Sequence, residues 1–140
     1  MDLERIELAK ALCRYAHRGQ TDKAGAPYYL HPFAVSEKVQ DEDGKIVALL
    51  HDVIEDTGIR IDTIQDLFGP EVSEAVLSVT RRDGESYMDF IARAKQDPIG
   101  RRVKLADLAH NMDVSRLKTV TEKDRERLEK YRKAKELLTE

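Results

Sequence analysis

Apolar residues recur three or four positions apart near the start of the chain, which is the spacing of an α-helix. The first run consists of Leu3, Ile6, Ala9, Leu12, Cys13 and Ala16. It predicts a helix from about Asp2 to about Arg18, ending at the loop "GQTDKAGAPYY". His31-Pro32 then opens a second helix, because proline is tolerated in a first turn, and "DEDG" separates it from a third.

Capping residues, glycine and proline set the later helix boundaries. We predict a short helix over "IDTIQDLFG", capped by Asp62 and closed by Gly69, and a helix from about Pro98 to about Leu117. Further helices are predicted to begin at Pro70, at Ser86 and, for a highly charged last helix, at Thr121. Because no convincing strand or repeat is present, we expect an all-α single-domain bundle of about seven or eight helices.

Composition narrows the class of protein. A chain of 140 residues with 41% hydrophobic and 36% charged side chains suits one domain over residues 1–140, with no room for a second catalytic domain. No apolar run approaches the roughly 20 residues that cross a bilayer, and "MDLERIELAKAL" does not resemble a signal peptide, so we expect a cytoplasmic protein. The single cysteine, Cys13, lies among apolar residues and is predicted to be a small core residue.

The charge pattern bears on partners. A net charge of −3 without a long basic block disfavours general nucleic-acid binding, whereas a small anionic ligand held by a local cluster stays open. The charged last helix could pack on its own core or on a second subunit, so a homo-oligomer also stays open.

The stretch "VALLHDVIEDT", from Val47 to Thr57, places four ionisable groups in an apolar helix. Helical spacing puts His51 and Glu55 on one face, with Asp52 and Asp56 on the adjacent face. Burying an unpartnered ionised group costs several kcal/mol, so these acids need a cation, a set of donors or a cavity. One bound metal ion would offset the cost.

Two further residues complete a plausible ligand set. His31 precedes a proline, and Asp107 interrupts the apolar run of "KLADLAHNM". Two imidazoles and two carboxylates suit Mn²⁺, Fe²⁺, Co²⁺ or Zn²⁺. Taken singly, His31 could cap its helix, and Asp107 could pair with Lys104 or His110, but their conjunction with His51 and Asp52 favours a metal site.

Four motifs follow one another between about Ala16 and Met112: "AHRGQTDKAGAPYYLHP", "ALLHDVIEDT", "FGPEVSEAVLSVTR" and "VKLADLAHNM". In this series the chain resembles the HD-domain metal-dependent phosphohydrolases. It is most similar to the hydrolase domain of the alarmone hydrolase/synthetase proteins and to stand-alone small alarmone hydrolases. The resemblance implies a helical bundle of the HD-domain type, with a metal ion, usually Mn²⁺, held by His31, His51, Asp52 and Asp107.

The resemblance also implies catalytic roles. Glu55 and Asp56 match the family's acid pair, and Asn111 matches an asparagine near the ribose and the scissile phosphate. Glu55 could deprotonate or orient the attacking water, with Asp56 assisting. Asn111 follows Asp107 by one helical turn and could donate a hydrogen bond to a substrate oxygen without adding charge, although a capping or core amide is the alternative.

The first loop carries the candidate substrate contacts. Lys23 and Tyr28 match positions of the family loop, and Arg18 flanks it, so these side chains are expected to hold phosphate or to pack beside a nucleoside. An ordinary solvated charge, or a core tyrosine, is the alternative at each position.

Three departures put guanine recognition in doubt. The family often has a basic residue at position 22, Arg or Lys at 108 and Thr at 114, where this chain has Asp22, Leu108 and Val114. If Asp22 faced the base, it could accept hydrogen bonds from a guanine edge.

The leading hypothesis is an enzyme that removes the 3′-pyrophosphate from guanosine 3′,5′-bispyrophosphate, without the family's synthetase domain. One alternative is an HD-domain phosphohydrolase acting on another nucleotide or phosphate ester. A further alternative is a regulatory module that binds a nucleotide without turnover.

Overall fold

The structure, a computed structural model, describes residues 1–115 and 117–140. The helices of this part of the chain are α1 (Leu3–Ala16), α2 (Leu30–Glu37), α3 (Glu42–Leu50), α4 (Val53–Asp56), α5 (Ile61–Phe68), α6 (Pro70–Ser78), α7 (Tyr87–Lys95), α8 (Pro98–Asn111) and α9 (Glu122–Thr139). The all-α prediction is therefore confirmed. The described helices include α4, a single turn of 4 residues that the apolar pattern did not separate from α3.

α3 lies at the centre of the bundle and packs against α1, α2, α6 and α8. Its last five residues, 46–50, are fully buried. Asp41 caps its start by accepting the N–H of Gly44 at 2.9 Å. Such a helix holds whatever follows it in a fixed position, because every side of its last turn is packed.

The prediction of one continuous helix through "VALLHDVIEDT" is wrong. α3 ends at Leu50, and the backbone of Asp52 leaves helical geometry with φ −104° and ψ −1°. This bridge region of backbone conformation is common in turns and at active sites. His51 and Asp52 therefore lie in a turn, and Glu55 and Asp56 belong to the separate helix α4.

Three other helix boundaries differ from prediction. α1 ends at Ala16 rather than near Arg18, and Arg60 rather than Asp62 precedes α5, in an extended conformation. α8 ends at Asn111 rather than near Leu117. Beyond it, the Asp113 carboxylate accepts the N–H of Ser115 at 2.9 Å, a local turn that competes with continued helix.

The predicted starts at Pro70, Ser86, Pro98 and Thr121 are confirmed. Ser86 caps α7 by accepting the N–H of Asp89, and Pro70 and Pro98 each stand in the first turn of a helix. Thr121 forms a capping box with Asp124 at the start of α9.

α9 attaches to the bundle through a second apolar cluster. Phe90 and Ile91 of α7, Leu108 of α8 and Ala134 and Leu138 of α9 are all buried there. This packing lays α9 beside α8, whose C-terminal half carries Asp107 and Asn111. Cys13 is fully buried in the main cluster, as expected, and burial raises the pKa of its thiol to about 12. Within the described residues, none of the helices combines the length and the apolar character that spanning a bilayer requires.

Candidate metal centre

Four side chains from α2, α8 and the turn after α3 converge at the C-terminal end of α3. His31 of α2 places Nε2 2.7 Å from Oδ1 of Asp107 on α8. His51 places Nε2 3.2 Å from the same oxygen and 3.2 Å from Oδ2 of Asp52. Ligand atoms of His31, His51 and Asp52 all lie within 4.8 Å of one another. The structure thus brings together the four residues that the sequence predicts as metal ligands.

Two neighbouring side chains hold the carboxylates in place. The hydroxyl of Tyr28 donates a hydrogen bond to Oδ2 of Asp52. The ammonium of Lys104, one helical turn before Asp107, donates to Oδ2 of Asp107 at 2.8 Å. The pairing of Asp107 with Lys104, considered above as an alternative to metal binding, therefore occupies one carboxylate oxygen and leaves Oδ1 facing the two histidines.

The protonation of the cluster follows from burial and charge. Burial alone would lower the pKa of His51, but the carboxylates of Asp52 and Asp107 raise it well above 6.5. Burial alone would raise the pKa of both acids, but His51 brings the pKa of Asp52 to about 2, and the Lys104 ammonium with His51 holds that of Asp107 well below its usual range. These shifts favour a protonated His51 between two ionised carboxylates.

The donor set fits a divalent cation. Three of the four side chains are almost fully buried, His31 at 6%, His51 at 3% and Asp107 at 3% exposure. Two imidazole nitrogens and two carboxylate oxygens form a mixed set typical of first-row transition metals. A bound cation would replace the proton of His51 as the positive charge between the acids.

The predicted acid pair lies at the edge of this cluster. Glu55 is exposed and accepts a hydrogen bond from the backbone N–H of Arg81, in the loop between α6 and α7. Desolvation of its carboxylate, and then the charges of Asp52 and Asp56, raise the pKa of Glu55. Desolvation and the charge of Asp52 likewise raise the pKa of Asp56. Glu55 also lines a surface cleft formed by that loop.

A separate cavity of about 350 Å³ borders the cluster at His31. Lys23, Tyr28, His31 and Asn111 line it, and Asn111 also donates from Nδ2 to Oδ1 of Asp107 at 3.2 Å. The volume lies at the lower end of the range for small-molecule sites. Three of the four residues predicted to contact substrate thus line a cavity beside the candidate ligand His31.

Arg18 lies apart from that group. Its guanidinium stacks over the ring of Tyr15 at 4.1 Å and donates to the Tyr15 carbonyl at 2.8 Å. Lys23 reaches across the cavity instead, where its ammonium lies 3.3 Å from Oδ1 of Asp124 on α9.

The three departures from the family pattern occupy different surroundings. Asp22 and Val114 line the cavity, but Leu108 is 1% exposed inside the second apolar cluster, away from it. Oδ1 of Asp22 accepts the N–H groups of Ala24 and Ala26, at 2.9 and 3.0 Å. Asp22 therefore shapes the tight turn at Gly25, where φ is +86°, and that oxygen serves the loop.

α9 contributes a wall of the cavity that the sequence did not indicate. Arg127 and Tyr131 line it, opposite the first loop. Tyr131 is part of an apolar seam, which predicts burial rather than a ligand contact, and no motif links α9 to the loop about 100 residues earlier. His110 was considered only as a partner of Asp107, but its Nδ1 lies 2.7 Å from Nδ1 of His31. Its signal was its spacing of three residues from Asp107.

Comparison with known proteins gives a consistent result. Residues 9–138 match the family model described as HD domain. The Escherichia coli bifunctional (p)ppGpp synthase/hydrolase SpoT is 37% identical over 125 residues, covering 79% of this chain and 18% of that protein. The Haemophilus influenzae guanosine-3′,5′-bis(diphosphate) 3′-pyrophosphohydrolase is 34% identical over 116 residues, covering 72% of this chain and 17% of that protein. The chain therefore spans less than a fifth of the length of these relatives.

A solved structure is similar over nearly the full length. It belongs to a metazoan ortholog of SpoT that hydrolyzes ppGpp, and it superimposes with a TM-score of 0.81 at 26% identity. The match covers 96% of this chain and 85% of that chain.

Proposed function

Since the chain belongs to the HD-domain family, we propose that it is a divalent-metal-dependent hydrolase that removes the 3′-pyrophosphate from guanosine 3′,5′-bispyrophosphate. The observation that carries this proposal is the convergence of His31, His51, Asp52 and Asp107 beside a cavity suited to a small ligand. The relatives named for this reaction support the choice of substrate.

His31, His51, Asp52 and Asp107 would hold the ion, and Mn²⁺ is our choice, with Fe²⁺, Co²⁺ or Zn²⁺ as alternatives. Such an ion would act as a Lewis acid that lowers the pKa of a bound water and offsets the charge of a phosphate. Tyr28 donates to Oδ2 of Asp52 and Lys104 donates to Oδ2 of Asp107, and these hydrogen bonds orient the two carboxylates.

The hydrolysis requires one proton to leave water and one to reach the ribose. A bond forms between the water oxygen and the phosphorus bound to the ribose 3′-oxygen, and the bond from that phosphorus to the 3′-oxygen breaks. Glu55 accepts the proton of the water, for which its raised pKa makes it a stronger base than an ordinary carboxylate. The 3′-oxygen takes up a proton, and pyrophosphate and GDP leave.

The substrate is held by neutral and cationic donors from two sides of the cavity. Asn111 donates from its amide to a phosphate or sugar oxygen without adding charge. Lys23 from the first loop and Arg127 from α9 offset the phosphate charge, and Arg127 can bind two oxygens at once. The rings of Tyr28 and Tyr131 give the nucleoside an apolar surface.

The experiment follows the release of pyrophosphate by anion-exchange chromatography in protein supplied with Mn²⁺. Guanosine 3′,5′-bispyrophosphate is compared with GTP, ATP, GMP and AMP. We expect GDP and pyrophosphate from the first compound, no activity after chelation, and none in Asp52→Asn. The matched variant Asp66→Asn, on the exposed side of α5, should keep full activity.

Two results would contradict the proposal. Cleavage of another nucleotide while the bispyrophosphate stays intact would make the chain a phosphohydrolase of different specificity. This second candidate is favoured by Asp22 and Val114, two departures that line the cavity. Tight nucleotide binding without product in metal-loaded protein would make it a regulatory binding module.

A further inference from the structure

His110 lies on α8, three residues after Asp107. It contacts His31, the candidate metal ligand on α2. Its Nδ1 is 2.7 Å from Nδ1 of His31, and the two rings are 4.8 Å apart between centroids. At this distance one nitrogen must carry a proton and the other must accept it, because two N–H groups or two lone pairs would repel each other. One of the two histidines is therefore the hydrogen-bond donor and the other is the acceptor.

The other nitrogen of His31 decides that direction. Nε2 of His31 faces Asp107 inside the cluster, so it is the atom that would bind a cation through its lone pair. A neutral imidazole with a bare Nε2 carries its proton on Nδ1. His31 is then the donor, and Nδ1 of His110 is the acceptor.

His51 provides an independent precedent within the same cluster. Its Nδ1 lies 2.5 Å from the carbonyl oxygen of Ala48, which only accepts, so its Nδ1 carries the proton. Its Nε2 faces Asp52 and Asp107. Both histidines thus present the same nitrogen to the cluster, and the Nδ1 of each lies within hydrogen-bond distance of another group.

We infer that His110 is a positioning residue for metal binding, whose Nδ1 accepts the N–H of His31 and thereby fixes the ring and tautomer that offer Nε2 to the cation. This inference rests on the metal centre of the proposed function. Removing an outer partner of a metal-binding histidine lowers metal affinity by about 10- to 100-fold. His110 is half-buried, so a substitution there leaves the packed core of α8 intact.

Two variants separate hydrogen bonding from bulk. The side-chain oxygen of Asn occupies nearly the position of Nδ1 in His, so His110→Asn keeps an acceptor, whereas His110→Leu removes it. The readout is the Kd of Mn²⁺, measured without nucleotide by chelator competition and by the EPR signal of free Mn²⁺. We expect affinity about 10- to 100-fold lower in His110→Leu and within a few-fold of the original in His110→Asn.

The outcomes distinguish the inference from the proposed function. Unchanged Mn²⁺ affinity in His110→Leu, or an equal loss in both variants, overturns the role of His110. If the original chain binds no Mn²⁺, the metal centre itself fails. A rise in KM at unchanged Kd for Mn²⁺ would instead assign His110 to the nucleotide cavity that it lines.

A second measurement needs no substitution. Long-range ¹H–¹⁵N NMR of the Zn²⁺-loaded protein reports which nitrogen of each imidazole carries the proton. We expect the proton on Nδ1 in His31 and His51 and on Nε2 in His110. A proton on Nδ1 of His110 would overturn the inference even if His110→Leu failed to fold.

Discussion

At the scale of single residues, Glu55 gives the sharpest test of catalysis. Glu55→Gln keeps an oxygen that can accept the N–H of Arg81 but cannot take a proton from water. We expect kcat to fall by about 10²- to 10⁴-fold, with Mn²⁺ affinity unchanged. Steady-state kinetics and metal titration measure the two effects. Glu74→Gln, on the exposed side of α6, is the control, and normal turnover in Glu55→Gln would remove this residue from the role of base.

His51 makes metal binding depend on pH. Burial alone would lower its pKa, but Asp52 and Asp107 raise it well above 6.5, so we expect His51 to be protonated near neutral pH when no metal is bound. A cation needs the lone pair of Nε2, so we expect about one proton to be released per ion bound near pH 7. Metal affinity should rise with pH until the pKa of His51 is passed and then level off. Calorimetry in buffers of different ionisation enthalpy measures the released proton, and a buffer-independent heat would contradict the prediction.

At the scale of secondary-structure elements, α9 tests how the cavity wall is held. Thr121→Ala removes the oxygen that accepts the N–H of Asp124 and should lower the free energy of unfolding by about 1 kcal/mol. Fraying of the first turn would loosen Asp124 and Arg127, so we expect KM to rise more than kcat falls. Hydrogen exchange of amides 122–127, together with kinetics, reports both changes. Thr139→Ala, near the other end of α9, should leave exchange in the first turn and KM unchanged.

Helix starts that carry a local capping signal were predictable, whereas features without such a signal were not. Ser86 and Thr121 mark helix starts because a capping oxygen acts within three residues. The break after Leu50 escaped prediction, because the apolar run continues through it to Val53 and Ile54.

The same distinction applies to the candidate site. Its acids were conspicuous in apolar runs, so the four ligand residues could be predicted together. The contact of Glu55 with Arg81 joins segments 26 residues apart, and no local pattern announces it.

At the scale of the whole molecule, a cation would connect three parts of the chain: α2, α8 and the turn that follows α3. An ion that binds the folded state but not the unfolded state stabilises the folded state by about 2.7 kcal/mol when the ion's concentration is 100 times its Kd. We expect Mn²⁺ to raise the free energy of unfolding by about this amount. Hydrogen exchange should slow in α2, α3 and α8 more than in α5, which supplies no ligand.

Chemical denaturation with and without Mn²⁺ measures this stabilisation. Asp52→Asn should lose the Mn²⁺-dependent part, whereas Asp66→Asn should retain it. Equal stabilisation of both variants would show that the ion binds elsewhere.

His31 and His51 differ in the kind of group that accepts the hydrogen bond from Nδ1. This difference affects how the metal centre could change under selection. The acceptor for His51 is a main-chain oxygen at position 48, which every amino acid possesses, so no point mutation there can delete it. The acceptor for His31 is a side chain, which one codon change can replace. Laboratory evolution toward a different metal preference should therefore accumulate substitutions at position 110 and leave the orientation of His51 as it is.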